Sequence, residues 1–140
     1  MTTQNPNPQP VPVLDPFIGR LSTLVTHMTW HRLGGVNRIS GGTRFFTVHI
    51  DSDEDEVEVM FGHVLAWADT LRSVTVRLTS DEYFHIYVHG DLHDGSGLDV
   101  QCLLPGTPKP LLALLRAVGH HREIPLAPLR ALADQIGGGR

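Results

Sequence analysis

Apolar and polar residues alternate through three consecutive segments, and this rhythm constrains the fold more than any other feature of the chain. The segments cover residues 73–79, 83–89 and 98–104. In the second segment Phe84, Ile86 and Val88 fall on one side and the intervening residues on the other. Successive side chains of a β-strand leave it on opposite faces, so a period of two indicates a strand with one buried face. The sequence therefore predicts three half-buried strands.

Short connections make these strands an antiparallel meander. Ser80-Asp81-Glu82 has hairpin length, and residues 90–97 contain two dipeptides, Asp94-Gly95 and Ser96-Gly97, that favour turns. A further strand is predicted over residues 44–50, where Phe46, Val48 and Ile50 alternate with polar or outward residues. Apolar residues at helical spacing predict helices over 16–33, from Val57 to Leu71, from Pro110 to Val118, and around 129–136.

We therefore expect an α+β fold with a four-stranded, mostly antiparallel sheet and helices packed on one face. The domain should cover residues 15–137. Prolines at every second position from Pro6 to Pro12 block ladder hydrogen bonding, so residues 1–14 are expected to be a disordered Pro-rich arm. Residues 138–140 are expected to be a flexible tail.

Bulk composition limits the functional classes. The chain has 140 residues, enough for one domain, and a formal net charge of −4, which argues against sequence-blind attachment to nucleic acid or anionic lipid. Its single cysteine, Cys102, excludes an internal disulfide. Neither a secretory signal nor an apolar run long enough to span a bilayer is visible. Cytoplasmic residence and no membrane association are the resulting expectations.

The outward side of the predicted meander is rich in rings and imidazoles. The candidate partner-binding residues are Arg77, Tyr83, His85, Tyr87, His89 and Gln101. Tyr and Arg are enriched in protein interfaces, and such a face could also stack nucleic-acid bases. Aromatic residues also favour strands for packing reasons alone, so this pattern is compatible with no binding role. The sequence leaves these three interpretations open.

Histidine spacing raises a metal hypothesis that the sequence supports weakly. His27 and His31 share a helix face, but position 28 is Met, where a zincin has its glutamate base. His85, His89 and His93 are four residues apart, which is about 13 Å in a strand and too far for two ligands of one zinc. We expect no metal ligands and no cofactor, although a metal-dependent enzyme built from scattered His and Asp residues stays open.

The sequence contains few other motifs that indicate catalysis or ion binding. Asp51, Asp53 and Asp55 resemble the start of a calcium loop, but Glu56 replaces the required glycine and Gly62 the final glutamate. The acidic run is therefore interpreted as the charged start of a helix. Cys102 has the inward register of its strand and is expected to be an inert core residue. No catalytic residues are assigned, and the chain is interpreted as leaning away from an enzyme.

Part of the chain resembles a group of small proteins. The resemblance lies in Val64–Leu71, Val74–Val76, Tyr87–Leu92 with Asp94-Gly95, and Arg122–Leu126. They are similar to small uncharacterised proteins of actinomycete chromosomes, phages and integrative elements. The resemblance implies a host type and a mobile-element setting, and no activity or functional residue.

These observations favour a non-enzymatic protein-interaction module. Its open sheet face is expected to bind a protein partner or to form a homo-oligomer. A single-stranded nucleic-acid-binding protein is the first alternative, and the metal-dependent enzyme is the second.

Overall fold

The computed structural model describes residues 15–41, 44–51 and 56–136. Its helices are α1 (Pro16–His31), α2 (Val57–Asp69), α3 (Lys109–Val118), α4 (Leu126–Arg130) and α5 (Ala133–Ile136). Its strands are β1 (Arg38–Gly41), β2 (Phe46–Ile50), β3 (Arg72–Ser80), β4 (Phe84–Asp91), β5 (Gly97–Leu104) and β6 (Ile124–Pro125). The predicted arm at 1–14 and tail at 138–140 lie outside the described residues.

The α+β class is confirmed, but the sheet has six strands where four were predicted. The strand order is β1-β2-β5-β4-β3-β6. Strands β3, β4 and β5 form the predicted antiparallel meander, while β2 pairs with β5 in parallel. The two strands that the prediction missed lie at the edges of the sheet. Edge strand β6 has only two residues, one of them a proline, and therefore carries no alternation to detect.

Helix α1 begins and ends at residues suited to those positions. The Asp15 carboxylate accepts the backbone N–H of Phe17 at 2.8 Å, and Pro16 occupies the first turn, where a missing N–H costs nothing. The helix ends two residues before its predicted boundary, at His31. There Arg32 adopts the left-handed region with φ 54°, and its N–H bonds back to the last carbonyls.

Helix α2 is the most deeply embedded helix of the described residues. Met60, Val64 and Trp67 are completely buried, and Trp67 donates its indole N–H to the carbonyl of Gly34 at 3.3 Å. That bond gives the buried indole N–H a hydrogen-bond partner, which burial would otherwise deny it. Near the C-terminus the predicted single helix is divided into α4 and α5, and α4 contributes the buried Leu129.

The core lies on one face of the sheet. The inward residues of the strands form one cluster with buried residues of α1, α2, α3 and α4. In β4 and β5 every second residue is buried and the others are half-buried. The predicted alternation is therefore confirmed, and it separates a helix-covered face from an open one. Within the described ranges, no helix combines the length and hydropathy required to cross a membrane.

Candidate functional site

The outward side chains of β3, β4 and β5 form the surface that we call the open face. Its central residues are Arg77, His85, Tyr87, His89, Asp99 and Gln101, all of them half-buried. The inward neighbours Phe84, Ile86 and Val88 are at most 1% exposed. Strand pleating alone therefore places the polar and aromatic groups outside the core, where a ligand or partner can reach them.

Tyr87 is the centre of the open face. The Arg77 guanidinium carbon lies 5.1 Å from the centre of its ring, and the two residues are directly opposed on β3 and β4. A cation–π contact holds the guanidinium through its flat face and leaves its N–H groups able to donate. His85 stacks beside Tyr87 with ring centres 5.8 Å apart and planes 5° from parallel. Three side chains are thereby fixed in one row.

A directional hydrogen-bond chain continues this row toward the β3–β4 turn. His85 Nε2 lies 3.0 Å from the Asp81 carboxylate, and His85 Nδ1 lies 3.3 Å from the Tyr87 hydroxyl. Because a carboxylate only accepts, Nε2 of neutral His85 carries the proton and Nδ1 accepts from Tyr87. The pKa of Asp81 is lowered, first by the backbone N–H of Tyr83 and then by the bond from His85. The chain is thus ordered from Tyr87 to Asp81.

A His–Asp pair lies on the other side of Tyr87. His89 Nδ1 is 2.5 Å from the Asp99 carboxylate across the β4–β5 ladder, and the Phe45 ring meets the His89 ring edge-on at 5.4 Å. Both residues belong to a surface depression of about 550 Å³ lined by Phe45, Thr75, Arg77, His89, Asp99, His121 and Glu123. Cationic and anionic side chains therefore lie next to each other in one shallow concavity.

His121 reaches the open face through an uncommon backbone conformation. Its φ is 59°, in the left-handed region, and its N–H donates to the carbonyl of Leu78 in β3 at 2.9 Å. Its ring lies 6.4 Å from that of Tyr87. No site residue was predicted in this loop, because a left-handed residue other than glycine leaves no pattern in a sequence. Histidine is nevertheless among the residue types enriched there.

The structure brings together five of the six predicted partner-binding residues on the open face, namely Arg77, His85, Tyr87, His89 and Gln101. Gln101 is the cross-strand neighbour of Tyr87 and hydrogen-bonds His49. Tyr83 lies in the turn immediately before β4 and is 44% exposed, and its backbone N–H donates to the Asp81 carboxylate. Strand β4 therefore begins at Phe84, one residue later than the alternation implied.

His49 of the neighbouring strand β2 differs from the imidazoles of the open face because it is buried. It is 9% exposed and lies 2.9 Å from the Ser40 hydroxyl of the unpredicted strand β1. Burial, followed by the nearby Arg38 charge, lowers the pKa of His49. Strand β1 therefore closes this end of the open face, and His49 serves packing there.

The histidines of α1 lie apart from the open face. The rings of His27 and His31 are 4.5 Å apart, and His27 Nε2 lies 2.8 Å from the Thr70 hydroxyl. Among the residues described in the structure, no group of three or more His, Cys, Asp or Glu side chains is placed to hold a metal ion. Cys102 is completely buried in β5 on the core side, away from the His89–Asp99 pair.

Comparison with protein-family models, with curated proteins and with solved structures gives no match for this chain.

Proposed function

We propose that the protein is a non-enzymatic interaction module that associates with a second copy of itself through the open face. The observation that carries the proposal is the row of half-buried rings along β4, which lies outside the core and is held in place by its own contacts. Ordered aromatic and Arg side chains form interfaces at low entropic cost, because little rotamer freedom remains to be lost.

The charge distribution favours a second copy of the chain as the partner that binds the open face. The depression contains Arg77 beside Asp99 and Glu123, so the same surface offers both signs of charge. In a two-fold interface, residues away from the axis meet different residues of the identical patch on the other copy. Arg77 of one copy can then face an acidic residue of the other. Sheets that pack face to face lie about 10 Å apart, a distance that half-buried Tyr and His side chains can fill.

The setting of this association in phages or integrative elements is also part of the proposal. It rests on the resemblance of segments such as Val64–Leu71 and Tyr87–Leu92, and the open-face geometry carries the interaction argument independently.

A double substitution tests the association. Tyr87→Ser with His89→Lys removes the central ring and places a second cation near Arg77, so copies should repel where they now meet. We expect light scattering to give a particle larger than the 15.4 kDa chain for the wild type and a monomer for the variant. A matched control, Ala66→Lys with Ala117→Ser, changes exposed positions on α2 and α3 and should keep the wild-type mass.

The outcomes separate the second copy from other occupants. An unchanged mass in a folded Tyr87/His89 variant contradicts the open face as the interface. A wild type that stays monomeric at the highest soluble concentration contradicts self-association. A different protein that co-purifies with the monomer and is lost in the double variant would instead identify a heterologous partner for the same face.

Single-stranded nucleic acid is the second candidate, because His85 and Tyr87 are stacked beside Arg77. Stacked rings with a neighbouring cation are the usual platform for unpaired bases. This candidate differs from self-association in its salt dependence.

A further inference from the structure

Three imidazoles line one hollow beside the exposed side chain of Trp30. The hollow, of about 290 Å³, is formed by Thr26, His27, Trp30, His31 and His93. His27 and His31 are one helical turn apart on α1, and His93 comes from the turn between β4 and β5. The hollow shares no lining residue with the depression of the open face, so a role for it is separate from the proposed self-association.

His27 has an unprotonated ring nitrogen whose identity follows from its neighbours. The Thr70 hydroxyl donates its only hydrogen to the carbonyl of Trp67 at 2.7 Å. The same hydroxyl lies 2.8 Å from His27 Nε2 and can therefore only accept there. Nε2 of neutral His27 thus carries the ring proton, and Nδ1 keeps its lone pair.

The Nδ1 lone pair of His27 is available to a ligand. His27 is 4% exposed, yet Nδ1 has no hydrogen-bond partner among the residues that the structure describes. Nδ1 is also not one of the fully enclosed unpartnered atoms of these residues, so it keeps access to the hollow that His27 lines. An acceptor that burial leaves without a partner costs free energy, which a ligand in the hollow would recover.

His31 is placed so that one metal ion can reach both rings. The ring centres of His27 and His31 are 4.5 Å apart. A metal ion bound about 2.1 Å from a nitrogen of each ring lies about 3.2 Å from each ring centre. Two such ligands at a right angle have ring centres about 4.5 Å apart, compared with about 5.2 Å at the tetrahedral angle. Right-angled nitrogen ligands are typical of Cu²⁺ and Ni²⁺, and Cu²⁺ forms the stronger complexes.

We propose that His27 and His31 form a binding site for a divalent transition-metal ion, with Cu²⁺ preferred over Ni²⁺. Histidines that bind metals donate their other ring N–H to an acceptor that fixes the ring, and the Thr70 hydroxyl is such an acceptor for His27. Over the described ranges no group of three His, Cys, Asp or Glu side chains is placed to hold a metal ion, so water completes the coordination and the ion exchanges with solution. This site replaces the expectation from sequence that the chain has no metal ligands.

Tryptophan fluorescence measures the binding, because paramagnetic Cu²⁺ quenches nearby indoles. Trp30 lines the hollow, and the Trp67 ring lies 6.1 Å from that of His27. Titration of the untagged full-length chain with copper(II) chloride at pH 7.5 should show saturable quenching at one ion per chain. His31 is exposed, so His31→Ala leaves the core intact. This variant should bind Cu²⁺ about 100-fold more weakly, since loss of a hydrogen-bond partner behind a metal ligand alone costs about 10–100-fold.

A matched variant and a spectrum identify the ligands. His120→Ala makes the same change at another exposed histidine and should bind Cu²⁺ like the wild type. Electron paramagnetic resonance of the one-to-one complex should show coupling to two ring nitrogens in the wild type and to fewer in His31→Ala. Equal affinity of the wild type and His31→Ala overturns the proposal, as does a spectrum without nitrogen coupling. Loss of binding in His93→Ala with none in His31→Ala assigns the ion to other residues and overturns it as well.

Discussion

Cys102 carries a prediction that tests the register of β5 directly. The side chain is completely buried, and burial raises the pKa of its thiol to about 12, so reactive thiolate is scarce at pH 8. We expect iodoacetamide to modify the native protein about 100-fold or more slowly than the urea-unfolded chain, because reaction requires opening of the core. Intact-mass spectrometry follows the reaction. Equal rates in both states would show that Cys102 faces outward.

His27 is expected to make stability depend on pH. Burial, then the neighbouring His31 and His93, lowers the pKa of His27 from 6.5 to about 4. Between these values the unfolded chain binds a proton that the folded chain does not, so the free energy of unfolding falls as pH falls from 6.5 toward 4. The contribution of neutral His27 to the free energy of unfolding is therefore fully present above pH 6.5.

Replacement of His27 by Gln isolates this contribution. Gln keeps an N–H donor for the Thr70 hydroxyl but does not titrate. Urea unfolding at pH 8 measures the packing cost of the change, and the same experiment at pH 4.5 should show the variant recovering on the order of 1–2 kcal/mol relative to the wild type. A constant difference between the two proteins at both pH values would contradict the lowered pKa.

Sequence alone could place most of the open face because strand alternation is a local property. The inward Phe84, Ile86 and Val88 determine that His85, Tyr87 and His89 point outward. The contribution of His121 could not be predicted, since it depends on a left-handed backbone and on a bond to Leu78 in β3. Strand β4 begins one residue later than predicted for a related reason: the backbone N–H of Tyr83 donates to the Asp81 side chain, in a turn that the apolar pattern does not indicate.

At the scale of elements, two glycines allow two different effects of an added methyl group to be tested. One glycine tests close packing and the other tests helix propensity. A Cβ on Gly90 in β4 would lie 2.8 Å from Leu71 Cβ and 3.1 Å from the Arg72 carbonyl oxygen, whereas one on Gly62 in α2 would have no atom within 4 Å. Gly90→Ala should destabilise by about 1–3 kcal/mol through overpacking. Gly62→Ala should stabilise by about 0.5–1 kcal/mol, because glycine is costly inside a helix.

Urea denaturation of the two alanine variants measures both predicted changes in the free energy of unfolding, the loss at Gly90 and the gain at Gly62. The pair is chemically matched, since each adds one methyl group to a regular element, and only the surroundings differ. Loss of stability at Gly62, or none at Gly90, would contradict the placement of α2 or of the segment that crosses from α2 to β3.

The elements themselves were predictable where their periodicity was long. Strands β3, β4 and β5 each have eight or nine residues and were found, whereas β6 has two. Strand β1 contains Ser40-Gly41, which the pattern associates with a turn. The parallel pairing of β2 with β5 joins segments about fifty residues apart, so no short-range signal specifies it. The two short edge strands, β1 beside β2 and β6 beside β3, turned an expected four-stranded sheet into a six-stranded one.

At the scale of the whole molecule, charge separates the two candidate functions. With a formal net charge of −4, the protein has no general attraction for phosphates. If the open face binds single-stranded nucleic acid, the affinity must come from Arg77 and from imidazoles that charge in acid. It should then fall steeply with salt and rise below about pH 6.5.

Self-association predicts a different salt response, and one titration compares the two. Exposed pairs of opposite charge contribute little, so raising salt from about 50 to 500 mM should weaken the homo-oligomer only a few-fold. Over the same range a 20-nucleotide single strand should show no binding tighter than about 100 µM at pH 7.5. Sedimentation velocity of the protein, alone and with the labelled oligonucleotide, measures both quantities. Oligonucleotide binding that weakens about tenfold or more over this range, with Tyr87→Ser abolishing it, would make nucleic acid the ligand of the open face.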